Sequence, residues 1–561
     1  MAEASYWTRA GAHLITRRQV VRGAALGGAG LAAAALLGCS GDEDQAAPPP
    51  AGGAPAKAGT AAPKSGGRVV TFTNGDPSSI DMHVATSSNT SIPIGPAHMG
   101  LLQPDPHIAV ESSKTIVAAL AKSWEVSPDG QTYTFKLVPN AKFHDGVPFT
   151  SADAKTTLER VQNPPQGVVS ARKLQLAGAS FTTPDATTLV IKTATRRAPA
   201  TLLGVLAQGW MAVYSQKDMA GGFDFTKQVN GLGPYKFVEY VTGNRVKMDK
   251  YAGYHNAPYP YPDGTDIFVI PEAQAALAQL QAGAIHHGLV DRLDSHEAMK
   301  KAIGDKASYP ALVKPSSSNW HFNAKNAPYS DHRVRLALAS AIDVAEANQV
   351  IEKGAAHIGG IMLPGGEWSP TLEEIQKIPG WGPVTSTTLA ESKKLLAAAG
   401  VPDGFPLGVM ARSEQKDVPV VVVQQLSKIG IKGTVVVLER TTWLEKLTAG
   451  QFDIAGDSGS YTTDDPDSIF ESSFLKDSPR NYSRLDSKDW DHLFTQQSSE
   501  LDPQKRLDLV KQMQKAAMAN LGMKVLYWSN QFGVVWNFVK GYTVHGITHN
   551  NTRGEQVWLD R

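Results

Sequence analysis

Three groups of residues in this chain carry side chains with reactive chemistry. Cys39 is the only thiol among 561 residues, so no internal disulfide can form and its chemistry must involve something outside the protein. Gly456-Asp457-Ser458-Gly459 sets a hydroxyl beside a carboxylate in a small-residue run, which is the composition of a nucleophile turn. His286-His287, and His545 with His549, are imidazole pairs of the kind that approach a metal.

The setting of Cys39 explains why it stands alone. Thr16-Arg17-Arg18-Gln19-Val20-Val21-Arg22 is a basic segment, and Gly23 to Gly38 is a weakly apolar Ala/Gly/Leu run ending Leu36-Leu37-Gly38-Cys39. This is the pattern of a twin-arginine export signal over 1–39 closed by a lipobox. Small residues before the cut let a peptidase reach the backbone, and the new N-terminal thiol carries diacylglycerol. The run is shorter than the ~20 apolar residues of a membrane span. Residues 40–66 are rich in Ala, Pro and Gly and read as a flexible tether, unable to bury a core. The expected location is the outer face of the cytoplasmic membrane, held by lipid on Cys39.

A chain of this length needs more than one core. Lys plus Arg (54) and Asp plus Glu (53) nearly cancel, which leaves no basic footprint for nucleic acid. Arg68-Val69-Val70-Thr71-Phe72-Thr73 and Thr132-Tyr133-Thr134-Phe135-Lys136-Leu137 read as strands. Helical stretches follow start signals: Ser151 and Asp153 before Ala154 to Val161, Pro271 before Glu272 to Ala282, and Asp331 before Arg333 to Ile342. Pro128-Asp129-Gly130 and Asp145-Gly146 are turns. Alternation of strands and helices predicts an α/β fold.

Four stretches, in order, resemble the peptide/nickel-type (family 5) extracellular solute-binding proteins of ABC importers. The first runs Ala119-Leu120-Ala121-Lys122-Ser123-Trp124 through Pro128-Asp129-Gly130 and Tyr133 to Leu137, then Lys142-Phe143-His144-Asp145-Gly146 to Thr150 and Ala152-Asp153. The second is Gly231-Leu232-Gly233-Pro234-Tyr235 with Asn244-Arg245-Val246 and Tyr254-His255. The third is Phe322-Asn323-Ala324-Lys325-Asn326-Ala327-Pro328-Tyr329-Ser330-Asp331 with Arg333 to Leu338 and Ala341-Ile342-Asp343. The fourth runs from Ala399-Gly400-Val401 through Ile429-Gly430-Ile431 and Phe452-Asp453-Ile454-Ala455 to Asp465-Pro466-Asp467.

The resemblance implies a two-lobed, periplasmic-binding-protein-like α/β fold of type II with the ligand cleft between the lobes. Lobe 1 would comprise 67–314, carrying an inserted subdomain at about 100–222, and the returning segment 525–561; lobe 2 would be 315–524. It further implies a lipoprotein, expected to be monomeric, that captures a small solute such as an oligopeptide or dipeptide and delivers it to a permease driven by cytoplasmic ATPases. An oligosaccharide or metal chelate is the alternative cargo. The chain has no Gly-x-x-x-x-Gly-Lys-Ser/Thr phosphate loop, so ATP hydrolysis falls to partners; no cofactor or resident metal is expected.

The family's contacts transfer to Ser460, Tyr461, Thr462 and Asp464 of the cleft loop. Peptide-binding members place an ammonium-pairing aspartate where Thr462 stands and a tryptophan where Gly459 stands. Either Asp464 takes over the ammonium or the ligand lacks one. Asn319 and His321 share a face by the period of two, with Trp320 and Phe322 on the other, and the resemblance aligns them with cleft-facing positions of peptide binders, which makes both candidate ligand contacts. Trp443 would stack on a ligand or fill the core; Arg412 would clamp a carboxylate or stand exposed. Trp528 reads as core.

Two other classes stay open. Gly456 to Gly459 spells the nucleophile tetrad of chymotrypsin-like proteases, which keeps a secreted serine hydrolase in view, although the Ala-Ala-His-Cys element around that family's histidine is missing. An envelope chaperone or structural protein would need no shaped cleft. Adjacent histidines on a strand point apart, and Gly546 argues against a helix carrying His545 and His549.

Overall fold

Alternation writes the strands directly. In Thr132–Leu137 the residues Tyr133, Phe135 and Leu137 turn inward, and the hairpin to Ala121–Val126 closes through Gly130, whose φ of +70° is a left-handed value that suits glycine. Helix Ser151–Gln162 starts with a reciprocal cap: Thr150 N donates to Asp153 Oδ2 at 2.7 Å. Asp331 accepts from Arg333 N to open helix His332–Ala341. Helix Ala273–Gln281 lies inside the span expected from Pro271.

The structure, a computed structural model, describes residues 62–168, 170, 172–290, 292–460, 463–547, 550 and 552–561. The export signal with Cys39, nearly all of the tether, and Tyr461, Thr462 and His549 lie outside the described residues. Lys64–Arg561 forms one compact unit. No helix of the described residues is long and apolar enough to cross a membrane.

Two four-stranded sheets belong to the N-terminal half. One has the order Arg68–Thr73, Gly264–Val269, Arg245–Lys250, Tyr235–Val241; its first pair is parallel and the others antiparallel. The other is antiparallel, ordered Ala121–Val126, Thr132–Leu137, Thr188–Lys192, Ser180–Asp185, and backs its own core around Tyr133, Phe135, Phe143 and Leu189.

The large sheet organises the rest. Its order is His287–Val290, Met523–Trp536, Ala311–Phe322, Ile454–Ser460, Pro406–Arg412, Lys432–Leu438, with Ala307–Ser308 also bonded to Met523–Trp536. The 12-residue strand Ala311–Phe322 and the 14-residue strand Met523–Trp536 run antiparallel. At ~3.3 Å per residue each exceeds the ordinary strand length. Their outer ends pack with cores around Ile285, Phe532 and Val535, while their inner ends enter a separate large core holding Trp320, Phe322 and Trp528. They are the two strands that cross between the lobes. Their ladder slips between Val313 and Ser317 and again between Ser318 and Asn319.

Lobe 2 contains a lysine where apolar packing would be expected. Lys524 is 1% exposed, and its ammonium donates to the carbonyls of Ile342 at 2.8 Å, Gly380 at 3.0 Å and Ala339. It caps the end of helix His332–Ala341 from inside the core. Burial lowers its pKa to about 7. Lys524→Met keeps the length but leaves these carbonyls without a donor. Chemical denaturation should show a loss of about 2–4 kcal/mol; an unchanged midpoint would mean that the carbonyls find other partners.

Candidate functional site

Strand Pro406–Arg412 runs parallel to both Lys432–Leu438 and Ile454–Ser460. Open sheets of this kind bind ligands beyond the carboxyl ends of such strands. Arg412 and Ser458 lie at those ends. Arg412 Nη2 donates to Ser458 Oγ at 2.8 Å and Gln415 Nε2 donates to the same oxygen at 2.9 Å.

Ser458 and Gln415 line a cavity of about 490 Å³, room for roughly 16 waters. Ser316, Ser317, Ser318, Tyr527 and Ser529 of the crossing strands form one wall. Arg292 and Asp294 line it from the start of helix Leu293–Ile303, with Glu352, Lys353 and Asp417 from lobe 2. Lys353 Nζ reaches Asp294 Oδ2 at 3.4 Å. Burial, partly offset by a hydrogen bond with Tyr527, raises the Glu352 pKa. The lining thus holds hydroxyls together with charges of both signs.

The other face of the sheet carries a second cluster. Asn319 pairs with Asp457 and His321 with Ala455, so Asn319, His321 and Asp457 share that face, as alternation predicts. Arg480 Nη2 donates to Asp457 Oδ2 at 2.9 Å and to Ser458 O at 2.8 Å. His321 Nε2 stands 4.0 Å from the Asp457 carboxylate and its ring meets Tyr482 edge to face. Burial outweighs the pull of Asp457 and lowers the His321 pKa to about 4, so the ring is neutral at pH 7. Asn319 and His321 do not line the 490 Å³ cavity.

Trp443 is buried, donates from Nε1 to Gly456 O at 3.2 Å, and carries the Arg412 guanidinium 5.6 Å from its ring centroid. It supports Arg412 from behind. Gly459 has a steric reason: a Cβ there would stand 2.4 Å from Asn319 Nδ2. A tryptophan at that position cannot coexist with this placement of Asn319. Ser460 is exposed at the end of its strand.

Asp464 lies elsewhere, where Thr463–Asp465 meets Glu111, Ser112, Ser113 and helix Pro199–Leu206 around a void of about 20 Å³. Its Oδ1 has no hydrogen-bond partner among the described residues. Trp368 Nε1 donates to its backbone carbonyl at 3.1 Å. Next to it, Thr201 Oγ1 donates to Asp465 Oδ1 at 3.2 Å, and Arg506 Nη1 to Asp465 Oδ2 at 2.8 Å. Asp467 accepts from Gln497 and Ser498 at 2.6 Å each. Lys114 pairs with Glu367 at 2.8 Å and Arg197 with Glu471 at 3.5 Å across the same junction.

Of the residues singled out in the sequence, Arg412 stands at the end of its strand and Trp443 is buried on helix Arg440–Ala449, and neither lines the 490 Å³ cavity; Gln415, Tyr527, Arg480 and the serines of the first crossing strand, which line it or support it, were not singled out. The available signal was Ser458 in the small-residue run; its neighbours come from the tertiary fold. Among the described residues, no three His, Cys, Asp or Glu side chains are grouped to hold a metal.

A two-lobed α/β body with paired crossing strands and a cavity at the carboxyl ends of parallel strands defines a solute-binding protein. The model of the bacterial extracellular solute-binding proteins, family 5, matches residues 115–481, more than half of the chain, and the chain belongs to that family. It is 28% identical over 447 residues to heme-binding protein A of Haemophilus influenzae, covering 72% of this chain and 77% of that one. It is 24% identical over 468 residues to the dipeptide-binding protein of Escherichia coli, covering 76% and 84%. The structure of the periplasmic binding protein DppA from Helicobacter pylori in complex with peptide STSA has the same fold: TM-score 0.74, 22% identity, 89% of this chain and 99% of that one.

The Asp464 carboxyl yields a pH prediction. Burial first, then Asp465 and Glu367, push its pKa up to about 7. A carboxyl raised above its unfolded value stabilises the fold while protonated, and that stability is lost as pH rises from the unfolded pKa of about 4 through 7. Asp464→Asn should therefore melt above the parent at pH 8, with the gap narrowing toward pH 5. Parallel melting curves across that range would contradict the assignment.

Proposed function

We propose that this protein captures a small zwitterionic solute, with a dipeptide or short oligopeptide as the best fit, and delivers it to a membrane permease driven by cytoplasmic ATPases. The observation that carries the reading is the 490 Å³ cavity whose lining offers Arg292 and Lys353 on one hand and Asp294, Glu352 and Asp417 on the other. A short peptide brings one ammonium and one carboxylate, which exchange into the ion pairs that Asp294 makes with Arg292 at 2.9 Å and with Lys353 at 3.4 Å. Serine hydroxyls and the crossing strands supply partners for its amides. The relatives' names point the same way, toward dipeptide and peptide STSA, while heme-binding protein A marks a different cargo within similar sequence.

In this reading lobe 1 comprises 67–314 with 525–561, its inserted subdomain spans about 100–222, and lobe 2 comprises 315–524. Closure brings Thr201 onto Asp465 and Arg506, and ligand shifts the equilibrium by binding the closed form better. Capture needs no bond made or broken. Ser458 Oγ receives hydrogen bonds from Arg412 and Gln415, and neither a guanidinium nor an amide can take a hydroxyl proton, so hydrolysis at this serine lacks its base.

Titration calorimetry against dipeptides, with sugars and metal chelates as further arms, tests the cargo. Dipeptides should bind, N-acetylation should weaken them at least about tenfold, and Ser458→Trp should abolish binding by filling the cavity. Binding by sugars or chelates alone would overturn the peptide reading. The lipid anchor at Cys39 makes its own prediction: Cys39→Ala should move the protein from the membrane to the soluble fraction, and a variant that still sediments with membranes would refute it.

A further inference from the structure

A second cavity, of about 210 Å³, lies within lobe 1 between strand Arg68–Thr73, helix Ser88–Ile94 and the C-terminal segment. It has room for about seven waters. Its lining includes Lys314, Arg553, His287, Gln531 and Asn89, and no carboxylate among the described residues. Lys314 and Arg553 each lack a carboxylate within ion-pair distance among the described residues, and Arg553 Nε is buried without a hydrogen-bond partner. His287, 8% exposed, leaves Nδ1 unpartnered while its ring packs on Tyr542 with centroids 3.9 Å apart. Gln531 is 3% exposed and lies on the second crossing strand.

Buried polar groups are normally satisfied, so unpartnered ones around a cavity call for an occupant. Water would satisfy the amides and the imidazole, but it would leave the two half-buried cationic side chains without a counter-charge. An oxyanion satisfies all of them: it accepts from the ammonium, the guanidinium and the imidazole N–H together.

We propose that this lobe 1 cavity is a binding site for a small oxyanion, a carboxylate or a phosphate, separate from the interlobe solute cavity. The two cavities share no lining residue. Lys314 lies in the stretch where the first crossing strand slips register, so an anion held there touches the hinge directly and biases lobe closure without entering the solute cavity. The anion is either the free inorganic ion or the acid group of a small metabolite.

Titration of the full chain with inorganic phosphate and, separately, with succinate, at ionic strength fixed with chloride, tests the site. Saturable binding is expected for at least one. Phosphate alone assigns the inorganic ion, and succinate alone assigns a carboxylate. Lys314→Met and Arg553→Met, on different elements, should each weaken it at least about tenfold, while Lys314→Arg should retain it. Ser458→Trp, which blocks the solute cavity, should leave it unchanged. Absence of saturable binding for both probes, undiminished binding by both methionine variants, or loss of binding in Ser458→Trp would each overturn the proposal.

Discussion

Two strands carry the chain between the lobes, and every amide on them needs a partner in a region that must also bend. The ladder is interrupted twice, and the wider interruption lies between Val313 and Ser317. Val313 pairs with Asn530 and Ser317 with Trp528, so Lys314, Pro315 and Ser316 face Ser529 alone. Such a bulge locally releases the strand from its neighbour and increases its twist. Pro315 within the gap has no N–H to lose. Trp528, just beyond the slip, is secured on its other side by mutual backbone bonds with His357 at 2.8 and 2.9 Å. The wider gap is therefore three residues long, and the ladder resumes at Ser317 before its second slip between Ser318 and Asn319.

That interruption also decides which cavity each residue serves. Lys314 lines the lobe 1 cavity and Ser316 the interlobe cavity, so the bulge forms part of the partition between them. At the opposite end of the interface the lobes meet through Thr201, Asp465, Asp467 and Arg506, all buried, and through the more exposed pairs of Lys114 with Glu367 and Arg197 with Glu471. An apolar seam of that extent would hold the lobes shut whether or not a solute was present. Charged and hydrogen-bonded groups can return to water with little net cost when the lobes part. Closure then depends on what the cavity contains, which is the thermodynamic requirement for a receptor.

Local chemistry made part of this fold readable from sequence alone. Strands Arg68–Thr73 and Thr132–Leu137 fall on the residues that alternation marks, and Pro128-Asp129-Gly130 turns where its glycine needs a positive φ. Ser458 stood out only as a possible nucleophile, and Arg412 as a carboxylate clamp or an exposed charge. The rest of the site required tertiary information. A bulge flips the facing of every residue beyond it, so no periodicity argument could place Ser316, Ser317 and Ser318 on one cavity wall. Gln415 and Arg480 reach Ser458 and Asp457 from other elements. The protonation of Asp464 follows from burial beside Asp465 and Glu367, a circumstance that exists only once segment 111–113 packs against 463–465.

Gly459 shows how a missing side chain arranges its neighbours. At Gly459 the space is held by Asn319 and Ser317, whose Nδ2 and Oγ would lie 2.4 and 2.8 Å from any Cβ. A glycine there leaves room for the Asn319 amide, and the Asp457 carboxylate is compensated by Arg480. A face that could have held an ammonium group is thereby neutralised internally. The charges proposed to recognise a solute, Arg292, Asp294, Glu352 and Lys353, line the cavity on the opposite face of the sheet, where Asp294 pairs with both Arg292 and Lys353 at the rim rather than in a buried cluster.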